Sequence, residues 1–137
     1  MKLELISRPS DEKSHAPPLL FVHGAWHAAW CWQEYFMPYF AARGWDCYAV
    51  SLRGHGNSEG HVRWVRGADY VADIEQIVEQ IGKRPVIIGH SMGGYVLQKY
   101  LETHTVPAAV LMASSIMLVS CGTRYQPPCG DCWLMVP

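Results

Sequence analysis

Gly89-His90-Ser91-Met92-Gly93-Gly94 sets a serine between two glycines, each two positions away. A serine hydroxyl is a weak nucleophile at neutral pH. It becomes useful for acyl transfer when a backbone corner exposes it, a base takes its proton and N–H donors hold the developing oxyanion. The G-x-S-x-G spacing suits the corner, because side chains flanking a tight turn would collide and glycine removes them. Alone the pattern is weak in a chain with 12 glycines, so its surroundings decide its meaning. Pro85-Val86-Ile87-Ile88 reads as a short strand buried on both faces, and the segment from Met92 to about Thr103 reads as a helix. Ser91 is therefore expected at a strained strand-to-helix corner with Oγ exposed above a sheet. A phosphate-binding loop would need lysine where Tyr95 stands, which rejects that use of the glycines.

An oxyanion needs two aimed N–H groups. One is expected from Met92, next to the serine at the positive end of its helix. The other is expected from the loop His23-Gly24-Ala25-Trp26, with Ala25 as donor and His23 and Gly24 as its support. Gly89, Gly93 and His90 support the corner itself. His90 adjoins Ser91, and because successive strand side chains alternate in direction it is expected to pack or hydrogen-bond beneath the corner.

The scaffold must come from 137 residues, enough for one domain. Half are hydrophobic, 17% are charged and the net charge is −1, which excludes bulk disorder and offers no basic face for nucleic acid. Lys2 to Ile6 alternates as an edge strand, while Leu19 to Val22, Cys47 to Leu52 and Pro107 to Met112 join Pro85 to Ile88 as strands. Trp32, Tyr35, Phe36, Tyr39 and Phe40 recur at helical spacing, predicting one helix kinked at Pro38 and stopped at Gly44. From Ala68 to Ile81 the spacing predicts a helix with Tyr70, Val71, Ile74, Ile77, Val78 and Ile81 inward. Asp69, Asp73, Gln76 and Gln80 take its solvent face, and Gly82 ends it. Alternating strands and helices imply an α/β fold, a three-layer sandwich around a mostly parallel sheet.

Three segments then carry a family resemblance. Phe21-Val22-His23-Gly24-Ala25-Trp26-His27-Ala28-Ala29-Trp30-Cys31-Trp32 resembles the oxyanion-loop segment of α/β-hydrolase-fold esterases, lysophospholipase-like hydrolases and the plant hydroxynitrile lyase and methylesterase group. Ser51-Leu52-Arg53-Gly54-His55-Gly56-Asn57-Ser58 resembles their D-x-R-G-x-G-x-S loop, with Ser51 where Asp is common. Gly89 to Gly94 is a frequent form of their nucleophile elbow. The three motifs follow the family order from about Leu19 to Met112. The resemblance implies a serine hydrolase acting on a small-molecule ester or similar acyl bond, with Ser91 as nucleophile and no cofactor. Trp26, Trp30 and Trp32 could wall an acyl pocket, as loop aromatics in that family do, though core packing accounts equally well for Trp32.

In that family the acid and then the base follow the serine in the chain, usually over on the order of 100 residues. Here 46 residues follow Ser91, and the one histidine among them is His104. At helical rise it lies about 18 Å away, out of hydrogen-bond reach. His23 and His55 are read as structural hydrogen-bonding groups, and His15, His27 and His61 show no sign of being a base. Asp131 is the one acidic residue after Glu102. The expectation is a truncated α/β-hydrolase fold lacking its C-terminal strands and weakly active or inactive. Residues 1–115 form its N-terminal part and 116–137 an atypical, aberrant tail. Two alternatives remain: a non-catalytic interaction or small-molecule-binding module, self-associating through an apolar edge at Ala108 to Met112, or a hydroxynitrile-lyase-like lyase.

The remaining signals are weaker. Cys31 and Cys47 read as buried thiols, whereas Cys121, Cys129 and Cys132 crowd the tail without the ligand set of a zinc site or the strand-to-helix context of a redox pair. No metal spacing appears on a helix face, so no metal is expected. Gly54-His55-Gly56 has Glu59 where a dinucleotide site needs its third glycine. Arg63, Trp64 and Arg66 read as a solvated loop. With no apolar signal core at the start and no stretch long enough to span a membrane, a cytoplasmic protein is the expectation.

Overall fold

The computed structural model describes residues 1–12 and 16–114. Its elements run β1 (Glu4–Arg8), β2 (Leu19–Val22), a 3-10 turn (Ala29–Trp32), α1 (Phe36–Ala41), β3 (Cys47–Ser51), α2 (Gly67–Ile81), β4 (Val86–His90), α3 (Met92–Tyr100) and β5 (Ala109–Met112). The expectations for Asp131, Cys121, Cys129, Cys132 and the tail fall outside the described residues, as does His15.

The five strands form one sheet in the order β1-β3-β2-β4-β5, with β1 antiparallel to β3 and the other pairs parallel. Alternation along each strand divides two apolar layers. Leu20, Val22, Val50, Leu52 and Ile87 face Tyr70, Ile74 and Ile77 of α2 and Val96, Leu97 and Tyr100 of α3. Leu19, Phe21, Cys47, Ala49 and Ile88 face Ala29, Trp32 and Met37 on the other side. The expected three layers and mostly parallel sheet are present.

Two local expectations need correction. The aromatic stripe from Trp32 to Phe40 is not one kinked helix. It divides into the 3-10 turn and the six-residue α1, which begins at Phe36 so that Pro38 falls in the first turn. There the missing N–H has no intrahelical acceptor to lose and the ring meets no preceding turn, so no kink is needed. Trp32 and Met37 are buried, with Trp32 packed on Phe21 at 5.0 Å between ring centroids, while Tyr35 and Tyr39 face outward. Trp32 is therefore a core residue, not a pocket wall.

The second correction is Asp73, expected on the solvent face of α2 but buried at 1% exposure. Arg53, from the loop after β3, comes to it: Nη2 donates to Oδ1 at 2.7 Å, Nε donates to Oδ1 at 2.9 Å, and the Arg53 backbone N–H donates to Oδ2 at 2.9 Å. Helical periodicity ranks side chains by polarity and takes no account of a cation arriving from another element.

Candidate active site

In this strand order the chain leaves β2 toward β3 on one side and returns to β4 on the other. Open α/β sheets form their ligand crevice at the carboxyl ends of strands where the chain direction divides in this way. Val22 pairs with Gly89 in the parallel register of β2 and β4, so the loop after β2 and the corner after β4 emerge side by side. A β-carbon built on Gly24 would lie 3.2 Å from Ser91 Cβ and 3.0 Å from His90 Nδ1. The sheet thus brings the expected oxyanion loop against the expected nucleophile.

Ser91 has φ 50° and ψ −113°, in left-handed space that a non-glycine residue rarely occupies. Such a residue carries strain of about 1–3 kcal/mol and persists only where its surroundings over-determine it. Here Ser91 N–H donates to the Met112 carbonyl at 3.0 Å, and its own carbonyl accepts from Tyr95 N–H at 3.1 Å. Gly93 and Gly89 close the corner. A β-carbon on Gly93 would stand 2.6 Å from the His23 carbonyl oxygen, and one on Gly89 would stand 2.6 Å from the Gly93 carbonyl oxygen. Met92 opens α3, so its N–H has no intrahelical acceptor and lies at the positive end of the helix dipole.

His23 holds the loop after β2. It is fully buried; its Nδ1 bonds the Gly24 carbonyl at 2.7 Å and its Nε2 accepts the Leu52 N–H at 3.0 Å. This pattern fixes the neutral tautomer with the proton on Nδ1. Desolvation lowers its pKa to about 4, against a smaller upward pull from the Gly24 carbonyl. His23 thus ties the turn at Gly24 to Leu52 just after β3, with both ring nitrogens engaged. Because its folded pKa lies below the unfolded 6.5, its contribution is complete above pH 6.5 and declines as pH falls toward 4. The loss amounts to roughly 3 kcal/mol. Urea denaturation at pH 7 and pH 4.5 should show this loss in the native sequence and a much smaller one in His23→Gln; parallel losses would assign the acid sensitivity elsewhere.

Ala25 is half-buried in the turn beside Ser91, and Trp26 follows it at φ 66° with 94% exposure. His27 N–H closes this turn on the Gly24 carbonyl at 3.3 Å. The His90 ring lies against Gly24, its Nδ1 3.0 Å from where a Gly24 β-carbon would stand. His55 Nδ1 bonds the Arg53 carbonyl at 3.0 Å. His104 is engaged at the far end of α3, with Nε2 3.2 Å from Glu75 and its ring stacked on Tyr100 at 4.2 Å. Cys31 and Cys47 have thiols pushed up to about 11 by desolvation, so they stay protonated. Among the described residues, no group of three or more His, Cys, Asp or Glu is placed to hold a metal, and no helix is long and apolar enough to cross a membrane.

The family model described as the alpha/beta hydrolase family matches residues 19–135. The chain belongs to that family. The match runs past residue 115 into the part not described. BpoC of Mycobacterium tuberculosis is 29% identical over 116 residues, covering 80% of this chain and 43% of that protein. Methylesterase 3 of Arabidopsis thaliana is 26% identical over 126 residues, covering 85% and 45%. Among solved structures, an esterase from Exiguobacterium antarcticum aligns with a TM-score of 0.72 at 22% identity, covering 82% of this chain and 41% of that one. This alpha/beta hydrolase chain therefore spans less than half the length of the relatives it matches.

The residues missed at the site are Glu4 and the structural use of Ser51. The available signal was Ser51 itself, standing where the resemblance to the D-x-R-G-x-G-x-S loop implies that Asp is common. Glu4 lies opposite it in the β1–β3 register.

Proposed function

We propose that this chain carries the nucleophile and oxyanion-binding part of a serine hydrolase site for ester or similar acyl bonds. In a complete site of this kind Ser91 Oγ attacks the carbonyl carbon as a base takes its proton, and the amides of Ala25 and Met92 hold the oxyanion. The bond to the alcohol then breaks as that proton passes to the departing oxygen, and water adds to the acyl-serine, giving the free acid and returning a proton to Oγ. The observation that supports this most is the left-handed backbone of Ser91 at the β4–α3 corner, with Gly24 packed against it. Strain alone does not single this serine out, since Trp26, Trp64 and Ala113 also have positive φ; what supports the reading is strain at a serine on the strand-to-helix corner against the loop after β2.

Among the described residues no histidine is set as its base: His23 is buried with both ring nitrogens engaged, and His104 pairs with Glu75. Without a base the serine keeps its proton at neutral pH, and loss of a triad member lowers the rate by many powers of ten. Ester turnover by this chain alone is accordingly expected to be very low. An alkyl fluorophosphonate at high concentration, read by intact mass, tests the assignment: slow single-site labelling that disappears in Ser91→Ala supports it. Labelling that survives in Ser91→Ala would remove Ser91 from the role.

A binding module is the second reading. Among the described residues β5 has a strand partner on one side only, and Val110, Leu111 and Met112 are half-buried there. An unpaired edge of this kind favours strand addition or self-association. A monodisperse monomer by light scattering with a cooperative melt would support an autonomous module; aggregation would favour an incomplete hydrolase fold.

A further inference from the structure

We propose that Glu4, on the edge strand β1, is a positioning residue for the loop that follows β2. It acts through Ser51, and it holds the loop after β3 at the same time.

Glu4 and Ser51 are register partners across the antiparallel β1–β3 pair. Ser51 is fully buried, and its Oγ accepts the Ala29 backbone N–H at 2.9 Å while donating to Glu4 Oε2 at 2.5 Å. A hydroxyl has one proton, and an ionised carboxylate can only accept. The direction is therefore fixed: Ala29 N–H to Ser51 O–H to the Glu4 carboxylate. Charge at the end of such a relay strengthens each bond along it. The same carboxylate accepts from the Asn57 backbone N–H at 3.2 Å and from Asn57 Nδ2 at 2.5 Å. Ser58 Oγ closes the ring, accepting the Glu4 N–H at 2.8 Å and donating to the Ser51 carbonyl at 2.5 Å.

The packing is tight at Ser51, while the Asn57 bonds lie at the surface. Gly56 lies over the network at φ 53°, where a β-carbon would be 2.6 Å from Ser51 Oγ and 3.0 Å from Ala28 Cβ. Desolvation pushes the Glu4 carboxyl up, but its hydrogen bonds from Ser51 and Asn57 outweigh that and hold it below its ordinary value. One carboxylate thus anchors Ala29, the far end of the segment that begins at His23 and Gly24 beside Ser91. That the anchored segment holds an oxyanion rests on the function proposed above; the anchoring itself does not.

Residue-resolved amide hydrogen exchange on the full chain tests the anchoring. Glu4→Ala should accelerate exchange at Ala29 and Asn57 by about tenfold or more while leaving Phe21 and Ile88 unchanged. Ser51→Ala should accelerate Ala29 and leave Asn57 protected. Glu4→Gln, which keeps an acceptor of the same shape, should restore part of the protection at Ala29 and takes the place of Glu4→Ala if that variant does not fold. Unchanged exchange at Ala29, or equal acceleration everywhere, would overturn the proposal. Fluorophosphonate labelling adds a second readout: Glu4→Ala should lower the bond-forming rate constant at Ser91 with the reversible binding constant unchanged. If exchange changes as expected but the native chain is never labelled, the positioning stands and the hydrolase reading falls. Labelling with no exchange change sinks the positioning alone.

Discussion

Gly93→Ala is expected to destabilise the chain by roughly 3 kcal/mol or more, toward the upper end for overpacking against backbone. The added methyl would meet the carbonyl oxygens of Val22 and His23, the latter at 2.6 Å, and the Val22 carbonyl carbon at 2.8 Å. These are backbone atoms at the end of a central strand, paired on both sides, so they cannot swing aside as a side chain would. Relief must come from lifting the first turn of α3 off β2, which moves Met92 and Ser91 with it. The variant should therefore lose labelling at Ser91 even where it remains folded. Gly82→Ala is the control. Gly82 caps α2 at φ 69° with open space around it, so its substitution should cost only about 1 kcal/mol of left-handed strain and leave labelling intact. Urea midpoints for the two variants decide the matter; equal losses would mean that the tight approach at Gly93 is not what holds the corner.

Asp73→Ala should be comparably severe, about 3–5 kcal/mol, because it breaks a buried pair by removing one partner. The carboxylate is 1% exposed and takes both the Arg53 guanidinium and the Arg53 backbone N–H. Its removal strands the Arg53 N–H and leaves a guanidinium that is 21% exposed beside a cavity, with Asp69 at 3.3 Å as its remaining counter-ion. Arg53 sits between Leu52, whose N–H bonds His23, and the loop that Glu4 holds at Asn57. The damage should therefore spread to the loops flanking the site. Arg53→Lys keeps a charge but not the fork, so an intermediate loss is expected. Thermal melts of the three proteins give the order; a melt for Asp73→Ala within a degree or two of the native chain would contradict this account.

Much of the fold was legible because it is written in local pattern. Leu19 to Val22 and Val86 to Ile88 are short apolar runs that only a sheet covered on both faces can bury, and the Ala68 to Ile81 periodicity gives α2 to within one residue at its start. The corner at Ser91 was legible for a steric reason: glycines at 89 and 93 have little other use between a buried strand and a helix. The division of the 32–40 stripe was less legible. A helical period shows which residues share a face, but where the helix starts depends on where Pro38 can sit.

The sequence by itself determined the α/β architecture, the place of Ser91 between strand and helix, and membership-bearing motifs that the family match agrees with. Each depends on residues close together in the chain, where backbone sterics and hydrophobic period act. Only the tertiary structure decided that Asp73 turns inward to Arg53, that His23 bridges two loops, and that the Glu4 carboxylate accepts the Ser51 hydroxyl. Those partners are separated by 20, 29 and 47 residues respectively. A buried polar group is tolerable only with its partner present, and no local pattern of polarity states which distant residue that partner will be.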